Sequence, residues 1–122
     1  MERLQLGHAA EDLALAYLSL KGFRLLARHF RAGKAEVDLV MQDGPGVVLV
    51  EVKYRGPGSA GRGAEAVGQA QRLRLERAAS AWVARRGLCD VRFDAVLLDE
   101  DAEGLTLRHV RGAFSASGRL AF

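Results

Sequence analysis

Residues 35–55 read Ala35-Glu36-Val37-Asp38-Leu39-Val40-Met41-Gln42-Asp43-Gly44-Pro45-Gly46-Val47-Val48-Leu49-Val50-Glu51-Val52-Lys53-Tyr54-Arg55. Two runs rich in Val and Leu, 35–42 and 47–54, flank Asp43-Gly44-Pro45-Gly46, a strong turn signal; the pattern is that of a β-hairpin. With 43–46 as the loop, Gln42 faces Val47, Asp38 faces Glu51 and Glu36 faces Lys53. Side chains alternate along a strand, so these four charged residues share one face with Val40, Val47 and Leu49. Val37, Leu39, Met41, Val48, Val50 and Val52 are expected on the other.

Outward from the hairpin, residues 8–21 read as a helix. Leu13, Tyr17 and Leu20 recur at helical spacing, as do Ala9 and Ala16, and Lys21-Gly22 provides a stop. Residues 23–29 read as a short strand. Residues 56–63 hold four glycines and Pro57, a loop too polar for the core. A long helix is expected over 64–86, with Val67, Gln71, Leu75, Ala78 and Trp82 on one stripe. Residues 89–99 and 105–111 read as two more strands, separated by an acidic turn. The order αβββαββ predicts a single α/β domain over residues 1–122, a central mixed sheet flanked by helices.

The chain has 122 residues, 49% hydrophobic and 27% charged, ordinary for a globular domain. Its one cysteine, Cys89, excludes an internal disulfide and any multi-thiolate zinc site. No apolar run approaches the ~20 residues of a membrane span. No signal-peptide pattern opens the sequence, and a cytoplasmic location is expected. Eighteen basic against fifteen acidic residues leave a net charge of +3, a mild bias toward polyanions. Fifteen of the basic residues are Arg; only Lys21, Lys34 and Lys53 are Lys.

Facing Asp38 and Glu51 is unusual for a purely structural sheet. Opposed carboxylates repel across roughly 5 Å, and the face they share is partly apolar. Either one takes a proton or a cation binds between them, and Mg2+ suits two carboxylates with retained waters. Lys53 points to the same side, where an ammonium can orient water or offset phosphate charge. The trio forms a plausible phosphodiester-cleaving unit. The plainer reading is a half-exposed strand carrying a Glu36–Lys53 salt bridge.

Glu11 lies among Ala14, Leu15 and Leu18, either as an edge residue or as a third, inward carboxylate. Gln71, on the inner stripe of the long helix, serves either a core backbone group or the site. Asp94 is expected in a structural ion pair. Arg55, Arg62, Arg72, Arg74 and Arg77 read as a path for a phosphate backbone or as a solvated face. His8, His29 and His109 show no ligand spacing among themselves.

The blocks Gly7-His8-Ala9-Ala10-Glu11-Asp12-Leu13-Ala14, His29-Phe30-Arg31, Ala35-Glu36-Val37-Asp38-Leu39-Val40, Val50-Glu51-Val52-Lys53-Tyr54-Arg55 and Arg92-Phe93-Asp94 occur in this order. The chain resembles the YraN family of uncharacterised bacterial proteins over nearly its whole length. That family is similar to the PD-(D/E)xK nucleases, with their restriction-endonuclease-like fold and Holliday junction resolvase-like members. The resemblance implies Mg2+-dependent hydrolysis of DNA phosphodiesters, with Mn2+ as a substitute ion. It implies Asp38, Glu51 and Glu11 as metal ligands and Lys53 as the water-orienting base, with branched or damaged DNA as one option for substrate and a homodimer as one option for assembly. The chain departs from the family pattern at Ala10, Ala35, His29 and Gln69. The rival expectation is a non-catalytic nucleic-acid-binding module of the same fold; a scaffold held by an ion-pair cluster is a third.

Overall fold

The computed structural model describes residues 3–56 and 69–113. Helix α1 (Arg3–Leu20) precedes strands β1 (Arg24–Ala32), β2 (Ala35–Asp43) and β3 (Gly46–Arg55). Helix α2 (Gln69–Arg86) and strands β4 (Val91–Asp101) and β5 (Gly104–Val110) follow. The order is the expected αβββαββ. The expected helical residues 64–68, and Arg62 with them, lie outside the described residues. The five strands form one sheet in sequence order, antiparallel except for the central β3–β4 pair, which is parallel. A parallel neighbour needs a crossover, and α2 belongs to that connection.

The turn between β2 and β3 is shorter than the four residues expected. Asp43 pairs with Gly46, leaving Gly44 and Pro45 at the tip, and Gly44 takes a φ of 60° that glycine reaches without strain. The register is unaltered: Gln42 faces Val47, Met41 faces Val48 and Leu39 faces Val50.

The sheet carries an apolar layer on each face. On one, Leu75, Ala78 and Trp82 of α2 pack with Val40, Val47, Leu49, Phe93, Ala95 and Leu97. Phe30 meets Trp82 edge-to-face at 5.1 Å between ring centroids. On the other, Ala10, Ala14 and Leu18 of α1 cover Leu39, Met41, Val48, Val50, Val96 and Leu98. The inward stripe of α1 is therefore not the one expected. Leu13 and Leu20 are 47% and 88% exposed, whereas Ala10 and Ala14 are buried. Small side chains let the helix lie close to the sheet, and that approach, rather than side-chain size, selects the face.

Val37 also departs from expectation, packing in the α2 layer with Val40. The β1–β2 partners run from Arg28↔Leu39 to Phe30↔Val37, passing over His29 and Asp38. His29 has a φ of 52°, left-handed and uncommon for a residue with a side chain. The strand alternation breaks at this point, and Asp38 stands at the break.

Candidate metal and phosphate site

The described β2–β3 ladder ends at Leu39↔Val50. Beyond it, Asp38 Oδ2 accepts the backbone N–H of Val52 at 2.8 Å, so a carboxylate takes the place of a ladder carbonyl. This contact holds Asp38 between the strands, beside Glu51. Glu51 is 6% exposed and points toward α2, where the Gln71 amide donates to its Oε2. Arg74 in turn donates to Gln71 Oε1. Glu51 Oε1 is buried with no hydrogen-bond partner among the described residues. An orphaned anionic oxygen in such a position is costly unless a proton or a cation meets it.

Burial raises both carboxyls above their ordinary range. For Glu51 it is the largest cause, the charge of Asp38 adds to it, and Lys53, the Asp38 backbone amide and Arg74 oppose it; the result is about 8. Asp38 is raised mainly by burial and then by Glu11, against the Val52 N–H, Lys53 and His29. Lys53 is half-buried and makes no ion pair among the described residues.

Asp38, Glu51 and Lys53 line one cleft of about 370 Å3 with His29, Lys34, Glu36, Gln71 and Arg74. Two of the three lysines are thus in the cleft. The third, Lys21, meets His109 Nδ1 at 2.9 Å elsewhere. A second depression is lined by Asp43, Asp90 and Arg92 among others, and its Asp43 is held by Arg92 and Arg111 at 2.9 Å each.

Glu11 is inward and 8% exposed, the second of the two readings its position allowed. It accepts from Arg28 at 3.2 Å and lies 2.9 Å from His29 Nε2. One donor atom each from Glu11, His29 and Asp38 falls within 4.8 Å of the others. Asp38 therefore has Glu11 and His29 as one set of neighbours and Glu51 as another.

Other sequence-selected residues are placed differently. Glu36 does not pair with Lys53; it contacts His29 Nδ1 at 2.8 Å and Arg31 at 3.2 Å. Arg55 is held by Asp99 on β4, with Nη2 2.7 Å from Oδ2, and Tyr54 beside it donates to Glu100. Those two side chains fasten the end of β3 to β4, so Arg55 has a structural partner in place of a phosphate. Arg72 lies 3.8 Å from Glu76 on its own helix. Among the described residues, Arg74 alone of the expected phosphate-binding arginines lines the cleft.

Asp94 has the structural role expected of it. Its side chain is fully buried and bonded by Arg92, the Gly112 N–H and His109 Nε2. These partners outweigh its burial and lower its pKa.

Sequence reasoning missed His29 and Lys34 as cleft residues. The signal for Lys34 was the Gly33-Lys34 turn directly before β2. For His29 the signal was its place opposite Asp38, visible only once β1 is in register.

Residues 10–98 match the family model described as "Uncharacterised protein family UPF0102". The chain belongs to that family, as the YraN-like blocks led one to expect. It is 44% identical over 110 residues to a UPF0102 protein of Halorhodospira halophila, covering 90% of this chain and 87% of that one. A UPF0102 protein of Methylobacillus flagellatus is 40% identical over 113 residues, 92% and 98% of the two chains. Among solved structures, SfsA of Pyrococcus furiosus in complex with Ca2+ is similar at a TM-score of 0.38 and 19% identity. That match covers 89% of this chain but 63% of the SfsA chain, under two thirds of its length.

Proposed function

We propose that the chain is a metal-dependent endonuclease that hydrolyses phosphodiester bonds of DNA, with branched or damaged DNA as the substrate class. The observation that carries this reading is the convergence of a buried Glu51, a half-buried Asp38 and a Lys53 with no ion pair among the described residues in one open cleft. The orphaned Glu51 Oε1 and the raised carboxyl pKa values suit a divalent cation, Mg2+ with Mn2+ as substitute. Asp38 and Glu51 would hold it, with Glu11 as the third carboxylate. Such an ion supplies Lewis acidity to a phosphoryl oxygen.

The chain's own groups do the rest. Lys53 donates to the attacking water, orients it, and offsets charge gathering on the phosphate. Gln71 fixes the Glu51 carboxylate and is itself fixed by Arg74. Lys34 and Arg74, which also line the cleft, hold flanking phosphates as positioning cations. The water oxygen bonds to phosphorus and gives up one proton to bulk solvent as the bond to the leaving sugar oxygen breaks, and that oxygen takes up a proton from solvent.

The test is cleavage of supercoiled, linear and four-way-junction DNA by the purified chain in Mg2+, in Mn2+ and in EDTA. Cleavage is expected with either metal and not in EDTA. Asp38→Ala, Glu51→Ala and Lys53→Ala, each checked for a folded circular dichroism spectrum, are expected to lose about 10²-fold or more. Variants that cut as well as the parent would overturn the assignment. Salt-dependent DNA binding without cleavage, unaffected by Asp38→Ala, would assign a binding module instead.

A further inference from the structure

We propose that His29 is a nitrogen ligand in this cleft, making a mixed Glu11–His29–Asp38 site that prefers borderline cations such as Co2+ and Zn2+ to Mg2+. The inference rests on the proposed function only in taking the cleft to hold a divalent ion.

Its geometry comes first. His29 Nε2 lies 2.9 Å from Glu11 Oε1, and both fall with an Asp38 oxygen inside one 4.8 Å group. Two ligand atoms about 2.1 Å from a shared ion and at right angles to it lie about 3.0 Å apart. The other ring nitrogen, Nδ1, lies 2.8 Å from Glu36 Oε1. Without an ion, Nε2 donates to Glu11 Oε1, which Arg28 also meets at 3.2 Å; with the Nδ1 proton kept on Glu36's side, an ion would take the place of the Nε2 proton and receive the Nε2 lone pair. A carboxylate bonded to the far side of a ligating imidazole fixes its tautomer and orientation and raises its basicity.

Independent observations agree. Glu51 is buried, lines the same cleft as His29 and Asp38, and has one oxygen with no partner among the described residues. That oxygen leaves the cleft one buried acceptor to be met by a proton or a cation. His29 also holds a left-handed backbone conformation inside a strand, one of the strained states that persist where surrounding structure enforces them. The side chain is 42% exposed, which leaves room for coordinated water. Imidazole among carboxylates shifts affinity toward Co2+ and Zn2+, while Mg2+ keeps to oxygen.

The experiment titrates the full chain with Co2+ and with Mg2+ by calorimetry, and records the proton spectrum of the Co2+ form. Co2+ is expected to bind more tightly than Mg2+ and to produce a strongly shifted, exchangeable imidazole N–H resonance. His29→Asn is expected to abolish that resonance and weaken Co2+ about 10- to 100-fold while Mg2+ changes little; Glu36→Gln, which leaves the ligands in place, is expected to weaken Co2+ about tenfold. Co2+ bound without the resonance, or with equal affinity in His29→Asn, would overturn the histidine assignment and leave the carboxylate site standing. Failure of both ions to bind the parent chain at millimolar concentration would overturn this inference and the metal-dependent reading together.

Discussion

At the scale of single residues, two carboxyls set opposite limits on the pH range of stability. Glu51 is pushed up to about 8 in the folded chain from an ordinary 4.5. Between those values the folded state holds a proton that the unfolded state has released. Stability therefore falls as pH rises across that window, by up to about 1.4 kcal/mol per pH unit for one such group. Asp38 is shifted the same way and adds to the fall. Asp94 is lowered from 3.8, so its contribution is complete above that value and is lost as pH falls through its folded value. Guanidinium melts in EDTA from pH 3 to 9 should trace a dome, and Glu51→Gln should flatten its alkaline side while leaving the acid side in place. A divalent ion should flatten the same side by favouring the ionised carboxylates.

At the scale of elements, α1 reaches the sheet through Ala10 and Ala14, and this close seat carries Glu11 to His29 and Asp38, two residues of the cleft. Ala14→Leu should cost about 1–3 kcal/mol by overpacking against the sheet. By lifting α1 it should also lower divalent-ion affinity, although residue 14 is not itself a ligand; denaturation and calorimetry on one sample check both. Sequence was informative here where local chemistry decides. The turn signal at 43–46 set the β2–β3 register as far as Leu39↔Val50, and its continuation is what brings Asp38 to the β3 strand beside Glu51. The α1 face was misread because Leu13 and Leu20 outweigh two alanines on any hydrophobicity count, and interhelical or helix–sheet distance is not written in periodicity. The break at Asp38, the turned-over Val37 and the left-handed His29 arise from three strands competing for one position. No single strand's pattern records that competition. Glu36 was paired with the wrong strand for the same reason: it has a neighbour on each side, and β1 supplied the partner.

At the scale of the whole molecule, a net charge of +3 is too small to explain strong nucleic-acid affinity by itself, so the placement of cations matters more than their number. Lys34, Lys53 and Arg74 are gathered at the cleft, while Arg55 and Arg92 are committed to Asp99 and to Asp94 with Asp43. Each cleft cation that neutralises a phosphate should add about 0.9 to the steepness of log affinity against log salt. Lys34→Ala and Arg74→Ala are each expected to reduce that slope by about this amount in filter-binding or anisotropy titrations on uncut DNA with Ca2+ or EDTA; Arg55→Ala is expected to leave the slope unchanged and to lower thermal stability. The sheet's connectivity has a further bearing, on the order of assembly. Asp38 and Glu51 are joined by a two-residue tip, and such hairpins close in about 1–10 μs. Gln71 and Arg74 lie on α2, whose docking on the sheet is non-local and therefore slower. The nascent chain therefore brings its two acids together before the helix that restrains them is in place, and an ion captured at that stage would act as a staple on the hairpin that starts the fold.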